Sequence, residues 1–564
     1  MQKSLQLLDY VVFAIYFVIV AGYGYWIYQR KKARQASTTD FFLAEGSLTW
    51  WAIGASLIAS NISAEQFIGM SGNGFRLGLA IATYEWMAAA TLLIVAIFFM
   101  PIYLKNRIFT MPQFLTQRYN DTVAMIMAVF WLLLYVVVNL TSILYLGALA
   151  VTTISGINLT VCMIGLAVFA LVITIGGMKV IGYTDVIQVF FLILGGLATT
   201  YLAMNLVTTP TGTVDTFTLG GATSGFGKML RSAPDHFHMI FDPTSPHYMS
   251  LPGLSVLVGG MWIVNLNYWG CNQYITQRAL GADLPTARNG ILFAAFLKLL
   301  MPIIVVLPGI AAYVLWKEGM FQQEMLKDGA LNQDNAYPVL LNLLPAGLKG
   351  LAFAALTAAI VASLAGKANS ISTIFTLDIY KKYMKPEATE RQLVGTGRVV
   401  IVIALIIAIA IAPFLGIDKK GGFEFIQEYT GFVSPGVFAA FLLGFFWKRT
   451  TANAALVAIV GGFALSVLFK FLPNYVDLSP LAELNFAVLN PESGVYEIPF
   501  IDRMGFVFLI CVALMIAISL SDASSKNNPK GLEIDAAMFR TSPGFTVGAL
   551  LVVGVLVALY TVFW

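Results

Sequence analysis

The chain has 564 residues, 59% of them hydrophobic and only 11% charged, with a mean hydropathy of +0.81. Soluble domains carry about 25% charged residues, so this composition excludes a soluble multidomain protein and implies one polytopic membrane unit, residues 1–564. The net charge of +4 is small for the length, and its distribution along the chain matters more than its sum; it gives no reason to expect nucleic acid as a partner.

A span needs roughly 20 mostly apolar residues. In chain order, the first is 9–28; it is too long for a signal peptide and is followed by the basic run RKKAR, so it reads as a retained extra helix. Further spans are expected at 48–74, 78–104, 121–153, 158–177, 183–207, 251–276, 289–316, 346–380, 396–416, 423–446, 453–472, 502–521 and 544–563, about fourteen in all. Cys162, Cys271 and Cys511 lie in apolar runs and form neither a zinc pattern nor a disulfide framework. The segments 208–250 and 473–501 read as surface loops with short helical pieces. His236, His238 and His247 all fall in the first, with a spacing that fits no strong zinc pattern.

Basic residues follow the first, third, seventh, ninth, eleventh and thirteenth spans: Arg30 to Arg34, then Lys105, Arg107 and Arg118, then Arg278 and Arg288, then Lys381 to Arg398, Lys448 and Arg449, and Lys526 to Arg540. This repeated positive-inside signal predicts a multi-pass protein of the cell (inner) membrane with both termini extracellular or periplasmic.

Polar groups inside spans are costly and normally face a cavity or one another. Here they concentrate: Asn61, Ser63, Glu65 and Gln66; Tyr84 and Glu85; Asn265, Asn267, Tyr268, Asn272 and Gln273; Lys298; Ser363, Lys367 and Asn369; Gln427 and Glu428. Amides and carboxylates address hydroxyls from several directions, and the rings of Tyr268 and Trp269 can cover the apolar face of a sugar. The set suits a neutral polyol, while an amino acid remains open. The stretch ASNIS predicts a helix break near 59–62, and the glycine-interrupted run VLVGGMWIVNLNYWGCNQY predicts a second. Discontinuous helices at mid-depth build the sites of secondary transporters. The two interrupted spans lie five apart and run in opposite directions, as first members of an inverted repeat would: 48–207 and 251–446, followed by C-terminal helices in 453–564. A channel would call for symmetric rings of ligands. A membrane enzyme would call for a metal cluster or a nucleophile beside Glu65 and Glu85. A solute sensor would require an output domain that the short loops do not contain.

The segments NISAEQFIGMSG, YEWM, TDVIQVFF, YWGCNQY, NSISTIFTLDIYKKY, IQEYTGFVSPG and GFFWKRTTANAA together resemble the sodium:solute symporter family, in its bacterial sodium/galactose branch, over essentially the whole chain. The resemblance implies an all-α fold with a five-plus-five inverted repeat of discontinuous helices (LeuT-like) and import of a hexose, galactose or glucose, by sodium symport with alternating access. It implies no enzyme activity and no cofactor beyond sodium as coupling ion, in a monomer or weak homo-oligomer in the bilayer. Myo-inositol, sialic acid and proline are the other solutes it leaves open.

By resemblance, the sugar would be held by Asn61, Gln66, Glu85, Asn265, Lys298 and Gln427. Tyr268 would close the inner side, next to Trp269, and Met70, Tyr84 and Phe423 would form the outer gate. Ala88 stands where the galactose carriers have a serine, and Asn267 replaces an aromatic residue. Sodium would be held by Ala59, Ile62, Ala359 and Ser363, with Ala362 in place of a second hydroxyl. Lys367 lies one turn beyond Ser363 on the same helix face. Three roles are open for it: pairing with Asp185, which the family links to sodium exit; snorkelling to the inner water layer; or standing in for the cation, giving sodium-independent or proton-linked transport.

Overall fold

The computed structural model describes residues 5–32, 48–210, 216–327, 329–414, 422–490, 493–532 and 534–564. Among these, ten helices are long and apolar enough to cross a membrane, and two shorter apolar helices, Leu159–Thr174 and Ser434–Phe446, accompany them. Of the basic run after the first helix, the side chains of Arg30, Lys31, Lys32 and Arg34 lie outside the described residues.

The N-terminal helix Leu7–Lys32 is fixed by one buried carboxylate. Asp9 accepts hydrogen bonds from the amides of Gly347 and Gly350, both at 2.8 Å. Those amides open the helix Leu348–Thr373, whose first N–H groups have no partner within the helix itself. The negative side chain also suits the positive end of the helix dipole.

The expected span 48–74 is divided. A helix runs Trp50–Asn61, Ile62 is extended (φ −77°, ψ 114°), and helical structure resumes at Glu65. The break therefore begins at Ile62, the last residue of the predicted 59–62. Its cause is local chemistry: Ser63 Oγ accepts from Glu65 N at 3.2 Å, while Gln66 Oε1 accepts from Ser63 N at 2.9 Å. This is a reciprocal cap of the S-x-x-Q type, so SAEQ starts a new helix inside a membrane span. From Glu65 the helical path runs on to Lys105 and turns at Gly78, which has φ +72°. A Cβ there would meet His236 O at 2.3 Å, so only glycine lets the 234–237 segment cross this turn.

The second interruption separates Gly260–Cys271 from Gln273–Leu280 at an extended Asn272. The carbonyl freed at Gly270 accepts from Tyr103 Oη at 2.6 Å, and Gln273 N donates to Tyr135 Oη at 3.1 Å. A third break, not expected, falls between Gly422–Gly431 and Ser434–Phe446, where Pro435 in the first turn starts a fresh helix.

Several arginines expected in loops are buried instead. Arg118 donates to the carbonyls of Gly444, Trp447, Lys448 and Thr450, and Arg288 to that of Ala96. Guanidinium groups here satisfy the carbonyls that helix ends leave open. The segment 216–250 carries the helix Leu219–Ser232, and 473–501 carries a short hairpin, Val488–Leu489 with Tyr496–Glu497.

Candidate functional site

Both interrupted helices face one buried cavity. Its walls come from the first break (Asn61, Glu65, Gln66), the following helix (Tyr84, Glu85, Ala88), the second break (Asn265, Tyr268, Trp269, Asn272), Lys298, Lys367 and the Gly422–Gly431 helix (Phe423, Gln427, Thr430). All six residues expected at the sugar site thus line a single chamber. The side chains leave about 50 Å³ for the centres of water-sized molecules. One water needs about 10–15 Å³ by this measure, so the chamber is narrow around its polar groups.

Lys298 is 1% exposed and forms an ion pair with Glu85, itself buried. The same ammonium donates to Asn61 Oδ1 and lies 5.1 Å from the Trp269 ring. Asn61 then donates through Nδ2 to Tyr268 Oη at 3.0 Å, joining the two breaks directly. Tyr274 Oη donates to Tyr268 Oη, extending the chain by one ring. Asn265 Nδ2 is held by Met261 O at 3.1 Å. Gln66 spends its carbonyl oxygen on Ser63.

Neighbouring polar residues separate cleanly. Gln427 lines the chamber, but Glu428 pairs with Lys470 at 2.6 Å and Arg503 at 3.0 Å. Asn265 lines it, but Asn267 donates to Ser434 Oγ at 3.1 Å. On the other wall Tyr84 and Phe423 meet edge to face, with centroids 5.0 Å apart, and both line the chamber. Met70 is buried on the same segment without lining the chamber. Arg76 is ion-paired with Glu424, the neighbour of Phe423, and donates to Ser250 Oγ at 3.1 Å.

Three of the four expected ion ligands, Ala59, Ile62 and Ser363, come together. Ser363 Oγ lies 3.2 Å from Ala59 O, 3.1 Å from Ser60 O and 3.2 Å from Ile62 O. One hydroxyl proton cannot satisfy three carbonyls. The surplus of acceptor oxygens is the environment a hard cation takes. Ser60 O joins the set without having been expected. Ala359 and Ala362 are fully buried on the Ser363 helix.

Asp185 and Lys367 do not pair. Asp185 accepts from Ser56 Oγ at 2.5 Å, and Ser56 Oγ in turn accepts from Arg278 Nε at 2.9 Å. Arg278, expected in a cytoplasmic loop, is 1% exposed and supplies the positive charge facing Asp185. Nor does Lys367 snorkel: it is 4% exposed, with Nζ 4.6 Å from the Tyr274 ring centroid, and the carboxylate it faces is Glu65. Sequence reasoning also missed Asn139 and Thr430 as lining residues. Asn139 was visible as the lone amide in the apolar run LYVVVNL; Thr430 carried no such signal.

His236 stacks on Tyr313 at 3.9 Å, and its Nε2 donates to Phe75 O at 3.0 Å. Because the partner is a carbonyl, Nε2 is the protonated, donating nitrogen. Among the described residues no group of three or more His, Cys, Asp or Glu could hold a metal ion.

The profile of the sodium:solute symporter family matches residues 41–462. The chain is 48% identical over its whole length to the sodium/glucose cotransporter of Vibrio parahaemolyticus, covering 99% of that protein. It is 31% identical to the human sodium/myo-inositol cotransporter 2, across 92% of this chain and 77% of that one. A solved structure of a Na+-coupled sialic acid symporter superposes with a TM-score of 0.75 at 21% identity, covering 92% of this chain and 98% of that chain, which establishes a shared fold.

Proposed function

The chain belongs to the sodium:solute symporter family, and from that premise we propose that it imports a hexose, glucose or galactose, by sodium symport with alternating access. The observation that carries the substrate class is the chamber itself. Asn61, Gln66, Glu85, Asn265, Lys298 and Gln427 surround one space beneath the Tyr84–Phe423 lid. Those groups offer both donors and acceptors, and the ring of Trp269 supplies a flat apolar wall. A polyhydroxylated ring needs all three. The full-length likeness to a sodium/glucose cotransporter favours a hexose over myo-inositol, sialic acid or proline.

The coupling ion on this reading is held by the carbonyls of Ala59, Ser60 and Ile62 with the Ser363 hydroxyl. Sodium there ties the first break to the Leu348–Thr373 helix. Asn61, next to Ile62, reaches the sugar site through Lys298 and Tyr268. One broken segment thus belongs to both sites. Each ligand then favours the conformation in which that segment is held, which is what coupling requires. Tyr268 forms the inner gate and Tyr84 with Phe423 the outer one. The two interrupted helices open inverted repeats, 48–207 and 251–446, and both termini face outward.

The test is uptake of radiolabelled glucose, galactose, myo-inositol, sialic acid and proline into proteoliposomes under an inward sodium gradient. Gradient-driven accumulation of a hexose is expected. Accumulation of a different solute, with no hexose uptake, overturns the assignment.

A further inference from the structure

Arg278 is buried at the far end of the second interrupted helix and meets three other helices. Its Nε donates to Ser56 O at 3.1 Å and to Ser56 Oγ at 2.9 Å. Ser56 Oγ donates in turn to Asp185 Oδ2 at 2.5 Å, on the helix Met178–Thr208. Nη1 donates to Tyr274 O, one turn back on its own helix. Nη2 lies over Gly366 of the Leu348–Thr373 helix, where a Cβ would collide with it.

Ser56 sits in the middle of Trp50–Asn61. Its carbonyl is not among the last four, which a helix leaves without partners. Arg118 serves end carbonyls of that kind, Gly444 among them. The bond from Arg278 to Ser56 satisfies no such orphan; it ties one helix to another.

We propose that Arg278 is an inner clamp: it fastens the cytoplasmic halves of the two interrupted helices together, and its release from Ser56 opens the chamber to the cytoplasm. The inference rests on the alternating-access reading above, with both termini outward, which makes Trp50–Asn61 and Gln273–Leu280 the cytoplasmic halves. Arg278 touches neither proposed ligand, so it is a positioning residue.

Three observations converge on the clamp. Asn61 and Tyr268 already join the same two helices beside the chamber. The Ser56–Arg278 contact is a second crossing, five residues and about 7.5 Å further toward the cytoplasm along the first helix. Inward release has to part both. Next, the residue whose carbonyl holds Nη1 is the one whose hydroxyl donates to Tyr268, so the clamp and the proposed inner gate share Tyr274. Finally, the seat at Gly366 is one turn past Ser363, on the helix that bears the candidate ion site. The fit there is incomplete: Nη2 is buried with no hydrogen-bond partner among the described residues. A buried charge short of full pairing is costly, which suits a contact that has to open in every cycle.

The experiment places a reporter thiol in the chamber of the full chain, Ala88→Cys, and measures its labelling by a membrane-impermeant thiol reagent in inside-out and right-side-out membrane vesicles. Cys162, Cys271 and Cys511 are buried, and the chain without the reporter supplies their background. Arg278→Gln removes the clamp. Gly366→Ala keeps every hydrogen-bonding group and puts a methyl in the guanidinium's seat. Hydrogen bonds to charged groups are strong enough that each variant should raise labelling from the cytoplasmic face at least about tenfold. Labelling from the outer face should fall or stay the same. An unchanged cytoplasmic rate in either variant overturns the proposal. So does an equal rise from both faces, which reports a loosened fold rather than an opened gate. Should one variant fail to reach the membrane, the other decides. Glucose or galactose with sodium should slow labelling in the chain that carries the reporter alone. If neither hexose protects the thiol, the hexose reading fails, while the comparison between faces still decides the clamp.

Discussion

Asn61 and Tyr268 join the two interrupted helices: the amide nitrogen of one donates to the phenol oxygen of the other at 3.0 Å. The residues are 207 positions apart; Asn61 ends the helix before the first break, and Tyr268 lies one turn before the second. The proposed inner gate must part this bond to release its cargo.

Tyr268→Phe keeps the ring and deletes the hydroxyl that accepts from Asn61. A neutral hydrogen bond is worth about 0.5–1.5 kcal/mol, or roughly two- to tenfold in an opening equilibrium. Sugar efflux from preloaded proteoliposomes should speed up by that order. Efflux at the wild-type rate would show that the contact does not restrain the gate.

The Lys298–Glu85 pair is almost fully buried, with side-chain exposures of 1% and 3%. Removing one partner leaves a bare charge, which typically costs about 3–5 kcal/mol. Lys298→Met and Glu85→Gln should therefore each lower the thermal midpoint and abolish sugar uptake. The double variant should regain much of the stability and none of the transport. Equal destabilisation in single and double variants would mean that the pair is not coupled.

Ser363→Ala removes the side-chain oxygen that meets the carbonyls of Ala59, Ser60 and Ile62. The half-saturating sodium concentration for uptake should rise by about three- to tenfold, with the sugar KM at saturating sodium little changed. An unaltered sodium curve would move the ion site elsewhere.

His236 lies in the connecting segment outside the spans, and burial against Tyr313 holds its pKa below the ordinary histidine value. The folded protein therefore takes up this proton later than the unfolded chain as pH falls. Stability from neutral His236 is complete above the unfolded pKa, near 6.5, and declines as pH drops from there toward the folded pKa. The thermal midpoint should fall between pH 7 and the lowered pKa, and His236→Gln should flatten part of that slope. His247 shifts in the same direction, again mainly by burial, so a residual slope remains. A steeper slope in His236→Gln than in the wild type would contradict the assigned direction.

Much of this was legible in one dimension. A composition of 59% hydrophobic and 11% charged residues forces lipid as solvent, and polar residues inside apolar runs mark the cavity because nothing else in a bilayer solvates them. The reciprocal cap formed by Ser63 and Gln66 shows that even the position of the first break is local chemistry, written in SAEQ. The sequence also singled out Lys367, but not its partner. Tertiary packing decided that Asp185 goes to Ser56 and Arg278, that Glu428 turns away while Gln427 turns in, and that Arg118 and Arg288 serve buried carbonyls rather than loops. The reason is that a periodicity of 3.6 residues fixes which face of a helix a side chain occupies, but not which neighbour that face meets. In a helix bundle the neighbour, and with it every long-range pairing of charges, comes only from how the helices pack.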